Sequence, residues 1–308
     1  MRLIFLFSGQ GLQTLAHRDE ILREGTPALH RALDAEFAQA GTALAALDER
    51  QLHDNAVAQV LIWGLQWLRW GALAPQLPHP VLLAGYSAGE TAAYTAAGLW
   101  PEGRGAFLAG ARARLMSEAS ARLGGSAGLM AVSGCDATLL AQYASGLAVH
   151  VAIRVAGQQL LLGGLRADLD TLATRLSACS GVHASPLAVN VPAHTPLLQS
   201  VRQPWHALLQ AEPGGAPQIP LLCGSRATVL HEREAALAAL AEQVCTPIVW
   251  EDCLNMIAEY QPDALLELGP GTALAKMALN HGLTCPVRAV DEFRSHQGVL
   301  DWLSGLCP

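Results

Sequence analysis

"VLLAGYSAGETAAY", residues 81–94, runs from a short unbroken apolar stretch through a single serine, Ser87, into a run of small residues. An unbroken apolar run is the pattern of a strand covered on both faces, so the segment predicts a strand, a tight bend and a helix. Two further runs, RLIFLF (2–7) and ALLEL (264–268), have the same character and each leads into a Gly-rich bend. Strands of this kind separated by helices predict an α/β fold built on a parallel sheet. The helix-like segments are 28–48, 55–71, 89–97, 102–123, 196–210 and 232–244.

Residues 126–190 follow another rhythm. AGLMAVSG reads as a strand, DATLLAQYA as a helix, LAVHVAIRV and QQLLLGG as two strands joined near Ala156-Gly157, ADLDTLATRLSA as a helix and VHASPLAVN as a last strand. The order β-α-β-β-α-β is the ferredoxin-like pattern, here inside the chain of the larger unit. The expected division is a large α/β subdomain from 1–125 and 191–308, with a small inserted subdomain at 126–190. The active site is expected in the cleft between them.

With 308 residues, 51% of them hydrophobic, the chain can bury a sizeable core. A formal net charge of −7 argues against broad nucleic-acid or anionic-membrane binding, which needs a basic face. Seven cysteines, odd in number and without a C-x-x-C pair, argue against a disulfide framework or structural zinc and fit a reducing cytoplasm. MRLIFLF is too short for a signal-peptide core and reads as a buried first strand, and no apolar stretch reaches bilayer length. Neither a G-x-x-x-x-G-K-[ST] loop nor metal-ligand histidine spacing occurs.

Ser87 lies in Gly85-Tyr86-Ser87-Ala88-Gly89, the Gly-x-Ser-x-Gly pattern of a nucleophile elbow. At such a bend the serine oxygen projects at a helix N-terminus, and the Ala88 amide is free to hold an oxyanion. The plainer reading is a Gly-rich turn with a capping serine. A nucleophile needs a base, and His17, His30, His53, His206, His231 and His296 sit among polar neighbours in segments that read as solvent-facing. His194, in LAVNVPAHTPLLQSV, stands where a strand gives way to a helix, with Thr195 suited to cap and Pro196 to open it. The helix dipole there favours the neutral imidazole that a general base requires, and a capping-loop histidine without chemistry is the alternative.

A third feature is Arg112, which shares an otherwise apolar helical stripe with Leu108, Leu115, Ala119 and Leu123. A guanidinium turned inward needs an anion, either a protein carboxylate such as Glu90 or Glu118, or a substrate carboxylate held bidentately. Trp63, Trp67 and Trp70 read as one helix face.

These segments together resemble the malonyl-CoA:acyl-carrier-protein transacylase family. LFSGQG is similar to its F-x-G-Q-G loop, GYSAGE to its G-H-S-x-G-E elbow and ARARLMSEA to its R-x-x-x-M-x-E-A helix. VPAHTPLL is similar to the segment of its catalytic histidine, EQVCTPIVW to Q-x-x-x-P-V-x-W and LELGPG to E-x-G-P-G. The matches occur in order over residues 5–271. The resemblance implies an α/β-hydrolase-like large subdomain with the ferredoxin-like insertion, and a Ser87–His194 pair in ping-pong acyl transfer. It further implies an oxyanion hole from the amides of Gln10 and Ala88, a carboxylate-binding Arg112, and a main-chain carbonyl at Gln243 that orients His194. The implied substrate is malonyl-CoA, the partner an acyl carrier protein bearing a phosphopantetheine-type thiol, with no tightly bound cofactor and no metal.

The chain departs from that pattern at Tyr86, where the family has histidine, at Leu12, where serine is common, and in AIRVAGQQLLLGG, where asparagines precede the glutamine. In these it resembles the malonyl transferase (epsilon) subunits of bacterial malonate decarboxylases, which implies the other subunits of such a decarboxylase as partners. Two other readings compete. A serine hydrolase would place its histidine late in the chain, at His281 or His296 with Asp263, Asp291 or Glu292. A non-catalytic carrier-docking subunit would keep only the fold.

Overall fold

A computed structural model describes residues 1–157 and 159–306; Gln158, within the QQLLLGG run, and Cys307 lie outside the described residues. The strands are β1 (Leu3–Phe7), β2 (Leu82–Gly85), β3 (Ala127–Ser133), β4 (Val149–Ala156), β5 (Gln159–Leu165), β6 (His183–Pro186), β7 (Leu221–Cys223), β8 (Thr228–Leu230), β9 (Ile248–Val249), β10 (Ala264–Glu267) and β11 (Val287–Ala289). They form two sheets.

The larger sheet runs β11-β10-β1-β2-β7-β8 and is parallel except for β8, which turns back on β7. Its centre is β1, whose five side chains are all fully buried. That is why RLIFLF carries no alternation: helices cover both faces, and neither side has water to meet. The smaller sheet takes β6-β3-β5-β4 antiparallel, with helices Ala137–Tyr143 and Arg166–Leu176 completing the β-α-β-β-α-β order. Its far edge is extended by β9, parallel to β4 and contributed from well beyond residue 190. The smaller sheet is therefore not built from 126–190 alone.

Three local expectations are corrected. The helix expected over 28–48 ends at Gln39; Gly41 takes a φ of 73°, and the chain resumes as a short 3₁₀ turn whose Leu44 amide donates to Asp34. Thr195 does not cap a helix, because its hydroxyl donates to the Pro192 carbonyl, and Pro196–Leu198 is a 3₁₀ turn ahead of helix Gln199–Ala211. His17 is not solvent-facing but buried, with Nε2 3.0 Å from Asp291. Trp63 and Trp67 do stack along helix Asn55–Leu73, and Trp70 packs edge-on against Phe5. No helix of the described residues is long and apolar enough to cross a membrane.

Candidate active site

Ser87 occupies the bend between β2 and helix Gly89–Ala96 with a φ of 57°, a left-handed conformation that costs a non-glycine residue about 1–2 kcal/mol. The flanking glycines make the bend possible by close approach. A Cβ on Gly89 would stand 2.1 Å from the Phe7 carbonyl oxygen, and one on Gly85 would stand 2.4 Å from the Glu90 Cα. The loop after β1 passes alongside, so that a Cβ on Gly9 would lie 3.3 Å from the Ser87 Cβ. That loop is pinned from below, since Ser8 bonds Glu267 and Gln66 holds the carbonyls of both Ser8 and Gly269. The amides of Gln10 and Ala88 have no protein acceptor among the described residues and border the same cleft as Ser87.

His194 also sits at positive φ, 63°, and its Nε2 lies 2.7 Å from Ser87 Oγ. Two bonds to the end of helix Arg233–Gln243 fix the ring: its amide donates to Val244 O, and Nδ1 lies 2.7 Å from Gln243 O. A carbonyl only accepts, so Nδ1 carries the proton and Nε2 is left to accept from Ser87. Burial, together with the charge of Arg112, pushes the imidazole down to about 3, against an opposing pull from the Gln243 carbonyl. The neutral ring thus owes its state to desolvation rather than to a helix N-terminus.

Arg112 is 1% exposed and finds neither of its expected carboxylates as a hydrogen-bond partner. Glu118 lies on the surface, 3.8 Å from Arg122. The guanidinium instead donates to Gln59 Oε1 at 2.6 Å and to Gln243 Oε1 at 2.8 Å, while its Nε is buried without a partner. Gln243 also donates from Nε2 to Ser87 O at 3.0 Å, so one residue touches the nucleophile's backbone, the histidine and the arginine. Burial lowers the guanidinium to about 10, and Glu90 nearby raises it.

The sequence reading missed Gln59 and the side chain of Gln243. The signal was present in helix Asn55–Leu73, where the buried polar residues Asn55, Gln59, Gln66 and Arg69 keep helical spacing in an otherwise apolar segment. His281 bonds Asn255, and His296 faces Glu20 and Glu24; neither is brought to Ser87, contrary to what the late-histidine hydrolase reading requires.

The cleft lies between the loops that follow β1 and β2, with helix Glu102–Ala121 beside them, and the smaller sheet with the segment after β6. Gln10, Tyr86, Ser87, Ala88, Arg112 and Met116 face Leu129, Ile153, Leu161, Leu187 and Val189. Tyr86 is held edge-on against Trp250, with centroids 5.0 Å apart. One hydroxyl, one neutral imidazole and one buried cation in an apolar slot can support nucleophilic acyl chemistry on a group that carries a negative charge.

Known proteins are similar to this chain over nearly its whole length. A malonyl CoA-acyl carrier protein transacylase of Mycobacterium tuberculosis is 28% identical over 293 residues, covering 92% of this chain and 95% of that one. The crystal structure of a malonyl-CoA:acyl carrier protein transacylase from Xanthomonas oryzae is 28% identical and superposes with a TM-score of 0.85 over 98% of this chain and 99% of that one. A malonyl-transacylase in complex with its type II PKS acyl-carrier protein shares the fold at a TM-score of 0.86 and 24% identity, over 98% of this chain and 99% of that one. The acyl transferase domain model matches residues 4–292, and the chain belongs to that family.

Proposed function

We propose that this chain moves a malonyl group from malonyl-CoA to the thiol of an acyl carrier protein, through an ester on Ser87. The observation that carries the reading is the 2.7 Å contact between Ser87 Oγ and His194 Nε2 in a cleft whose only buried guanidinium, among the described residues, is Arg112. Support for the acceptor comes from the carrier-protein transacylases to which the chain is similar.

In the first half-reaction His194 Nε2 takes the Ser87 proton as Oγ attacks the thioester carbonyl. The amides of Gln10 and Ala88 receive the oxyanion, and Gln243 O steadies the imidazolium through Nδ1–H. Collapse expels CoA as thiol, with the proton returned from Nε2. A carrier thiol then repeats the sequence in reverse. Thioester and serine ester are close in energy, so the apolar walls serve mainly to keep water from the ester. Arg112 pairs with the free carboxylate of the malonyl group.

The narrower reading, a malonyl transferase subunit of a malonate decarboxylase, rests on Tyr86, Leu12 and the AIRVAGQQLLLGG segment alone. The test of the broader one is intact-protein mass spectrometry after brief exposure to malonyl-CoA or acetyl-CoA. A malonyl adduct on wild type, stronger than the acetyl adduct and absent from Ser87→Ala, is expected. An adduct persisting on Ser87→Ala would put the nucleophile elsewhere, and no adduct with either substrate would favour the carrier-docking reading.

A further inference from the structure

Glu90, three residues past the nucleophile, is 1% exposed and has no role in the steps above. Its side chain folds back over the elbow, close enough that a Cβ on Gly85 would lie 2.8 Å from its Cγ. Oε1 accepts from the Gly224 amide at 3.1 Å, whereas Oε2 is buried without a hydrogen-bond partner. Burial pushes the carboxyl up to about 8, while Arg112, the Gln243 side chain and the Gly224 amide favour its anion. The other titratable groups facing it are Tyr94 on its own helix, Cys223 of β7 and Cys253 of helix Trp250–Glu259, all raised by burial and hence neutral near pH 8. Arg112 is thus the one charge Glu90 meets.

A second carboxylate brought beside a buried one disfavours ionisation of either, because like charges sharing a desolvated site raise one another's pKa. We propose that Glu90 is a positioning residue that makes docking of the acyl carboxylate on Arg112 proton-coupled: when that carboxylate arrives, Glu90 takes up one proton from solvent. An O–H bond forms on Glu90, no other covalent bond changes, and the acyl carboxylate is left as the one anion beside Arg112. The inference rests on the malonyl-transfer reading. It requires that below pH 8, where Glu90 is already protonated, docking is independent of pH. Above it, half-saturation by a carboxylate-bearing acyl-CoA rises toward about tenfold per pH unit. An acyl group without a carboxylate shows no such slope.

The test is CoA release in the first half-reaction, with malonyl-CoA and acetyl-CoA, for wild type and Glu90→Gln between pH 6.5 and 9. Wild type is expected to show a rise of about tenfold in half-saturating malonyl-CoA from pH 7 to 9 at little change in maximal rate, with acetyl-CoA flat. Glu90→Gln, which keeps the shape but cannot ionise, is expected to flatten the malonyl profile. A flat wild-type profile, or a slope that survives in Glu90→Gln, overturns the proposal while acylation itself still supports the transferase reading. Should Glu90→Gln fail to fold, calorimetry of malonyl-CoA binding to Ser87→Ala at pH 8.5 in buffers of different ionisation enthalpy decides. Uptake of more than about half a proton is expected for malonyl-CoA and none for acetyl-CoA, and equal values for the two overturn it. Absence of acylation by either substrate at every pH removes the transferase reading and the proposal with it.

Discussion

His194 Nε2 stands 2.7 Å from Ser87 Oγ, and both residues hold left-handed backbone angles, φ 63° and 57°. Neither conformation is one that a serine or histidine adopts freely, so the surrounding structure has to enforce both. At Ser87 the enforcement comes from the close approach of Gly89 to the end of β1 and of Gly85 to Glu90. At His194 it comes from the two bonds to the end of helix Arg233–Gln243.

The strain at Ser87 has a measurable consequence. Ser87→Ala and Ser87→Gly both remove the hydroxyl, but only glycine accepts a φ of 57° without a steric penalty. Ser87→Gly is expected to be more stable than Ser87→Ala by about 1 kcal/mol in urea unfolding, with neither variant forming an acyl-enzyme. Equal stability would mean that the elbow relaxes when the side chain is cut back.

Arg112→Ala should separate the two acyl groups. It deletes the cation that pairs with a malonyl carboxylate, and two charge-assisted hydrogen bonds at about 1.5–3 kcal/mol each set the scale at a loss of roughly a hundredfold or more in kcat/KM for malonyl-CoA. Acetyl-CoA makes no such pair, so its kcat/KM should hold or improve. The variant also leaves Gln59 Oε1 and Gln243 Oε1 without their donor, so a stability loss of about 1–3 kcal/mol is expected. Parallel loss of both substrates would assign Arg112 a structural role only.

The elements that sequence patterning shows are those in which one physical demand dominates. β1, β2 and β10 are buried on both faces and read as bare apolar runs, and the β-α-β-β-α-β segment shows because its turns and periods alternate cleanly. The edge strands β8, β9 and β11, of two or three residues each, carry too few side chains for a period, and it is pairing with β7, β4 and β10 that makes them strands. In the site, Ser87, His194 and Arg112 stand out as residues at odds with their surroundings. The partners of Arg112 do not, because a glutamine in a helix looks alike whether it faces water or a buried cation. His17 misleads for the same reason: its Asp291 partner is 274 positions away.

The pH profile of acylation should lack the acidic limb usual for a histidine base. A group lowered to about 3 is neutral, and so able to accept a proton, at every pH above that value. Between pH 7 and 5 kcat/KM for acetyl-CoA is expected to change less than about twofold, where an unperturbed histidine near 6.5 would cost more than tenfold. Acetyl-CoA is the probe to use, since it leaves Arg112 and its neighbours unchanged in charge. An inflection near pH 6.5 would show that the imidazole is far better solvated in solution.

Gln243 allows its main-chain and side-chain functions to be told apart. The carbonyl that orients His194 belongs to the backbone and survives any substitution, while Oε1 on Arg112 and Nε2 on Ser87 O belong to the side chain. Gln243→Ala should therefore keep acetylation of Ser87 within about tenfold of wild type, because the base stays aligned. Gln243→Glu is the sharper variant. It sets a carboxylate against Arg112 at the place where an amide oxygen now sits, so the guanidinium is neutralised before any acyl carboxylate arrives. Malonyl-CoA kcat/KM should fall by roughly a hundredfold, with acetyl-CoA much less affected, and the preference between the two should shrink or reverse. If Gln243→Glu lost both substrates equally, the side chain would be holding the elbow rather than setting the charge that Arg112 offers.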